Sequence, residues 1–272
     1  MSGTVVDPYV AMVRASRREF LYALNPLGKV AAVAPAMIVL VFVRDLATPA
    51  AFLVLAYALI LVGARLTWRL LLLLVIVVPV AMIVIGIGFS LWVDAALVDD
   101  TAPFLQIGGW TLFSGALEVG FATALRLGAI AALALVGGLT TSGPDLVRAS
   151  IQQLRVPYRV GYTALAAFRF VPRFGHELSV IRAAHRVRGH HGGRGPFARV
   201  ARGWGYIVPL LAGAIRHAER VALAMDARAF GAHPTRTERH LVPFRARDVV
   251  FIALVLAASA AIFIVLFPWQ PA

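Results

Sequence analysis

Apolar residues gather in five segments of the chain, at 30–43, 49–64, 70–93, 110–139 and 249–267. Runs of this kind, with few charges, predict membrane-spanning helices, each needing about 20 apolar residues to cross the hydrocarbon core. The first two are short for that thickness, so they draw in flanking residues or pack within a bundle. Between the fourth segment and the fifth, from Arg148 to Arg247, the texture changes and apolar positions recur at helical spacing. On one helix expected there, at 158–188, Phe170, Phe174, Leu178, Ile181 and Ala184 form a stripe. Arg169, Arg173, Arg182 and Arg186 lie off it, and Pro172 predicts a bend. A second helix, at 197–230, carries a stripe of Leu211, Ile215, Ala218, Ala222 and Met225. The glycines of 189–196 join the two, and Gly231 and Pro234 end the second. A shorter amphipathic helix at 145–154 precedes them. Its start, Thr141-Ser142-Gly143-Pro144-Asp145, offers a hydroxyl cap, a first-turn proline and an acid three residues after Ser142.

The pattern predicts an all-α polytopic membrane protein. It has about five transmembrane helices, with a pair of long amphipathic helices inserted before the last span. Four parts follow: an N-terminal segment at 1–29, the first four membrane helices at 30–140, an extramembrane lobe at 141–247, and the last membrane helix with a tail at 248–272. Composition agrees, with 60% hydrophobic and only 14% charged residues in 272.

Charge adds the orientation. The interval 148–247 holds 18 of the 26 Lys and Arg residues against four acids, in a chain whose net charge is +13. Basic residues beside membrane spans mark the cytoplasmic side, so this excess reports topology rather than nucleic-acid binding. Residues 14–29 and 65–69 are also basic, whereas 94–109 contain no Lys or Arg. Five spans with a cytoplasmic N-terminus and an outside C-terminus satisfy all of these. The first 29 residues lack the compact apolar core of a cleavable signal peptide.

Chemistry narrows the function by exclusion. Without cysteine there are no thiolate metal sites or thiol nucleophiles. No Gly-x-x-x-x-Gly-Lys-Ser/Thr loop is present, so this chain is not expected to bind ATP or another cofactor. All seven histidines fall between His176 and His240, without the helical spacing of a metal site, and His190-His191 read as loop residues. Arg126 and Glu118 lie within the fourth apolar segment. A charge there is costly unless it is paired or faces the bundle interior, and a structural polar link is the simpler role for Arg126.

Two short arginine signatures stand out in the lobe, Val187-Arg188-Gly189 and Ala227-Arg228-Ala229. Each sits at a helix end, where a cation complements the dipole by about 0.3–1 kcal/mol. Small neighbours leave each guanidinium projecting from a slim tip, suited to carboxylates and carbonyls in a partner's groove.

These signatures belong to a longer series. Leu24-Asn25-Pro26-Leu27-Gly28-Lys29, Thr140-Thr141-Ser142-Gly143-Pro144-Asp145-Leu146, Phe168-Arg169-Phe170-Val171-Pro172, Ala184-His185-Arg186-Val187-Arg188-Gly189 and Met225-Asp226-Ala227-Arg228-Ala229-Phe230 occur in this order. The series resembles the transmembrane T component of energy-coupling factor transporters, the family that includes CbiQ-type subunits. The resemblance implies a scaffold and energy-coupling subunit of an importer. It would link two cytoplasmic ABC-type ATPases to a separate substrate-binding membrane S component, for uptake of a vitamin or a transition-metal ion. It also implies that Val187, Arg188, Gly189, Ala227, Arg228 and Ala229 touch the ATPases, with Arg169, Pro172, Arg186 and Asp226 supporting the coupling helices. Val187 departs from the family's usual alanine, and Ala229 from its usual glycine. Two rivals are a polytopic membrane enzyme with a cytosolic site and a self-contained secondary carrier. The first lacks clustered acids in the lobe, and the second would more often show several intramembrane acids.

Overall fold

A computed structural model describes residues 20–65, 67–94, 98, 101–107, 110–188, 195–234, 237–238 and 240–266. Helices α1 (Pro26–Leu40), α2 (Ala47–Gly63), α3 (Trp68–Leu72) and α4 (Val78–Ser90) come first, α3 and α4 being joined by a π-helical turn at Leu73–Val77. Strands β1 (Pro103–Ile107) and β2 (Trp110–Phe113) follow, then α5 (Ser114–Thr140), α6 (Gly143–Gln153), α7 (Tyr158–Val187), α8 (Pro196–Asp226) and α9 (Ala246–Leu266). The chain divides into two compact units, one of residues 1–146 with 243–272, the other of residues 147–242.

The first unit is the membrane bundle. Three of its helical runs, Trp68–Ser90, Ser114–Thr140 and Ala246–Leu266, are long and apolar enough to cross a bilayer, while Pro26–Leu40 and Ala47–Gly63 are shorter apolar helices. Its core joins Ala32, Val33, Ala36 and Leu40 of α1 to Phe52, Ala56 and Ile60 of α2. Ala129, Ala132, Leu133 and Val136 of α5 meet Phe251 and Val255 of α9 in the same cluster. Side chains on the outward faces of α4 and α9, such as Val84, Leu254 and Val265, are exposed, as lipid-facing positions require.

Close helix contact here depends on small residues. A Cβ at Gly120 of α5 would stand 2.5 Å from the carbonyl oxygen of Gly86 in α4 and 2.1 Å from Ser90 Oγ. Ser90 turns that hydroxyl back onto the Gly86 carbonyl at 2.7 Å, so the hydroxyl that faces α5 has its partner within α4.

The π turn lies just before Pro79. Val78 N–H donates to Leu73 O, one residue beyond the α-helical register. In that widened register the Leu74 carbonyl would look to residue 79, which is a proline without an N–H. Tyr57 of α2 fills the gap, its hydroxyl donating to Leu74 O at 2.8 Å. One tyrosine thus satisfies a backbone acceptor that hydrocarbon cannot.

Two expectations need correction. The fourth apolar segment does not begin as helix, because Trp110–Phe113 is β2, paired antiparallel with β1 through Ile107↔Trp110 and Pro103↔Phe113. Trp, Thr and Phe favour strands, and a short apolar run does not by itself separate strand from helix. The helix expected at 197–230 stops at Asp226, because residue 229 leaves the right-handed region.

In the second unit α7 and α8 lie antiparallel. Phe170 stacks on His217 with ring centroids 4.3 Å apart and 10° between planes. Further along, Gly213 lies against Glu177, and Tyr206 meets the His185 ring at 5.3 Å and the Arg182 guanidinium at 5.8 Å. Ascending residues on α7 thus meet descending ones on α8. Pro172 sits inside α7 without ending it. Past α8, the chain runs back along α6 and the start of α7. Tyr158 donates to His233 O at 2.6 Å, Tyr162 to Glu238 Oε2 at 2.8 Å, and Gln152 both donates to His240 O and accepts from Val242 N–H at 2.9 Å.

Candidate functional site

The antiparallel pairing sends the two arginine signatures to opposite ends of the α7–α8 pair. Arg188 caps α7 at its C-terminus, its N–H donating to Ala184 O at 3.1 Å. Arg228 follows α8, whose C-terminal turn packs on the other end of α7: the Phe230 ring meets Tyr158 at 5.7 Å, and Arg159 donates to Gly231 O at 2.6 Å. With α8 spanning 31 residues, a rise of about 1.5 Å per residue separates the two arginines by on the order of 40 Å. They cannot converge on one small ligand. Each presents a separate tip.

Both tips are open. Arg186, Val187 and Arg188 are exposed, Val187 to 89%, as are Asp226, Ala227, Arg228 and Ala229. Gly189 lies outside the described residues, as do His190 and His191. Arg169 and Pro172 are also exposed, on α7. The second tip is a Schellman turn: Phe230 N–H donates to Met225 O at 3.0 Å and Ala229 N–H to Asp226 O at 2.9 Å. Ala229 occupies the left-handed position of that turn, at φ 54°. A glycine takes this conformation freely, while a Cβ there is crowded at a cost of about 1–2 kcal/mol. The backbone, more than the small change in side-chain size, is where alanine matters at this position.

In the membrane bundle Arg126 of α5 reaches across to the end of α1. Its Nη1 donates to Val43 O at 3.1 Å and to Val41 O at 3.3 Å, and its Nη2 to Thr123 Oγ1 at 3.4 Å. The guanidinium thereby satisfies carbonyls past the last turn of α1. Glu118, two turns earlier on α5, is exposed. Among the described residues no group of three or more His, Asp or Glu side chains is placed to hold a metal ion.

One end of this bundle holds a buried polar cluster to which the sequence pattern alone assigns no role. Lys29 is only 1% exposed, and its Nζ donates to Leu21 O at 3.1 Å, Thr140 O at 2.8 Å and Thr140 Oγ1 at 3.1 Å. Asp248, equally buried, accepts from Asn25 N–H and Arg245 N–H at 2.7 Å each. Asn25 also caps α1 through its side chain, which accepts from Leu27 N–H at 3.0 Å. The signal for this cluster was a lysine three residues past a proline, just before an apolar run. Its partner Thr140 is 111 residues away.

A family model described as CbiQ, cobalt transport protein, matches residues 17–240, which takes in the buried Lys29 and both arginine tips. The chain belongs to this family. It is a transmembrane T component of the energy-coupling factor type. An energy-coupling factor transporter transmembrane protein EcfT of Staphylococcus aureus is 26% identical over 184 residues, covering 65% of this chain and 69% of its own. The EcfT of Bacillus selenitireducens is 29% identical over 160 residues, covering 56% of this chain and 60% of its own. A putative ABC transporter ATP-binding protein of Bifidobacterium longum aligns at 26% identity over 96% of this chain, which spans only 34% of that protein's length.

The T component is therefore a multi-pass membrane protein and a membrane component of an energy-coupling factor transporter. Of the residues singled out in its sequence, the structure groups Arg186, Val187 and Arg188 at one tip and Asp226, Ala227, Arg228 and Ala229 at the other. Arg169 and Pro172 stand apart from both, toward the middle of α7, while Arg126 and Glu118 belong to α5 in the membrane unit.

Proposed function

We propose that this T component is the non-catalytic coupling scaffold of an ATP-driven importer, with Arg188 and Arg228 each seated in a groove of a separate ATPase subunit. The observation that carries the reading is the placement of two exposed arginine tips at opposite ends of one antiparallel helix pair. A single partner bound at one spot would not need both. The Bifidobacterium relative supports ATPase partners, since a segment similar to nearly all of this chain occurs there in a protein named for ATP binding.

A third partner covers α8. Trp204, Val208, Leu211 and Ile215 recur at helical spacing and are each more than half exposed. A stripe of that size belongs against another apolar surface. The occupant that fits is a substrate-binding membrane S component, whose cargo is a vitamin or a transition-metal ion. In this scheme the unit of 147–242 is cytoplasmic, as is the N-terminus, and the C-terminus is outside.

Closure of the ATPases on ATP moves the two tips together with their helices, and the α8 stripe carries the S component along. Arg188→Glu and Arg228→Glu test this directly. Placing a carboxylate where a guanidinium meets acceptors replaces attraction by repulsion, and a central interface arginine is worth 2 kcal/mol or more, about 30-fold in affinity. Each single variant should reduce co-purifying ATPase, and the double variant should abolish both co-purification and uptake. Full co-purification by the double variant overturns the assignment.

A further inference from the structure

The chain passes between the two units twice, once within α6 at residues 146–147 and once at residues 242–243. On the membrane side, both crossings lead straight into the buried cluster around Lys29. Thr140, which ends α5 ahead of the first crossing, gives both of its oxygens to Lys29 Nζ. Pro243, the first membrane-unit residue after the second crossing, gives its carbonyl to Asn25 Nδ2 at 3.4 Å. Arg245 N–H and Asn25 N–H share the Asp248 carboxylate, and the Arg247 guanidinium donates to Ala23 O. One compact set of hydrogen bonds therefore holds the end of α5, the start of α9 and the start of α1.

The chemistry of the cluster makes it stiff. An ammonium has three protons, and the three acceptors within reach of Nζ use all of them. The charge sits at the carboxyl end of α5, where the helix dipole favours a cation. Buried at 1%, the ammonium has no water to take over a lost bond, so displacing the end of α5 must displace α1 with it. A knot needed only to hold the fold could sit anywhere in the bundle. This one sits where both covalent links to the other unit begin.

We infer that Lys29 is the positioning residue of an anchor that transmits movement of the 147–242 unit to α1, α5 and α9 together. The inference rests on the coupling function proposed above. Without Lys29 the two units remain joined by chain, but α5 and α9 respond to a pull separately.

The test uses the chain co-expressed with its ATPases and spin-labelled in both units. Because the sequence contains no cysteine, Trp92→Cys and Ser179→Cys introduce unique labels, both at exposed positions. Distances are measured by pulsed electron resonance with and without ATP and vanadate. The expected result is an ATP-dependent distance change in the otherwise unaltered chain, and its loss in Lys29→Met while ATPase co-purification and hydrolysis persist. Thr140→Val, which removes only the hydroxyl contact, should show an intermediate change, and it decides the matter should Lys29→Met fail to fold. A full distance change in a folded Lys29→Met or Thr140→Val chain overturns the inference. So does the absence of any change in the unaltered chain bound to its ATPases, or loss of ATPase binding by folded Lys29→Met. Failure of the unaltered chain to bind ATPases at all is a different result, and it sinks the coupling function itself.

Discussion

Position 229 concentrates what a single residue contributes to the second tip. Its backbone lies at φ 54° inside a Schellman turn whose hydrogen bonds are both formed. Ala229→Gly should therefore stabilise the turn by about 1 kcal/mol, less the extra freedom glycine gains in the unfolded chain. Slower amide hydrogen exchange at Phe230 would register it, and unchanged or faster exchange would show that the strain is relieved elsewhere. Ser142 does comparable work at the start of α6. Its Oγ accepts from Asp145 N–H at 3.2 Å while donating to Asp145 Oδ2 at 2.6 Å, so Ser142→Ala should cost about 1 kcal/mol. The cap was readable from the sequence because all its parts are local. Residue 229 was less so, since an alanine carries no sign that its position demands a left-handed backbone.

At the scale of elements, hydropathy is legible: among the described residues three of the apolar segments fall on helices long enough to cross a bilayer, and the first two fall on shorter apolar helices. What stayed hidden depends on neighbours. The π turn before α4 is followed by Pro79 and met by a tyrosine from α2, and no periodicity records that partnership. Tyr57→Phe should leave Leu74 O without a donor at a cost of about 1–3 kcal/mol, seen as a lower unfolding temperature of the detergent-solubilised protein. An equal unfolding temperature would mean that another donor replaces Tyr57. The Gly120 contact is more demanding. With backbone carbonyl 2.5 Å from the missing Cβ, Gly120→Ala must push α4 and α5 apart, and a larger loss of stability than for Tyr57→Phe is expected in the same assay.

For the whole molecule, the proposed function divides labour among surfaces: the tips of the α7–α8 pair for ATPases and the α8 stripe for the S component. Leu211→Arg should then lose the S component while retaining ATPases, the reverse of Arg228→Glu, and co-purification from membranes distinguishes them. The two arginines were legible in the sequence because a cation beside a helix-ending residue between small neighbours is a local pattern. Their separation was not, since it follows from the antiparallel packing of Phe170 on His217 and His185 on Tyr206. The most direct test of the central claim is cysteine cross-linking of Val187→Cys and Ala227→Cys chains, both arginines kept, to the ATPases in native membranes. Each single variant should yield a one-to-one product, and the double variant a product with two ATPase subunits on one chain. A double variant that captures only one ATPase, or cross-links that fail at either position, would contradict it.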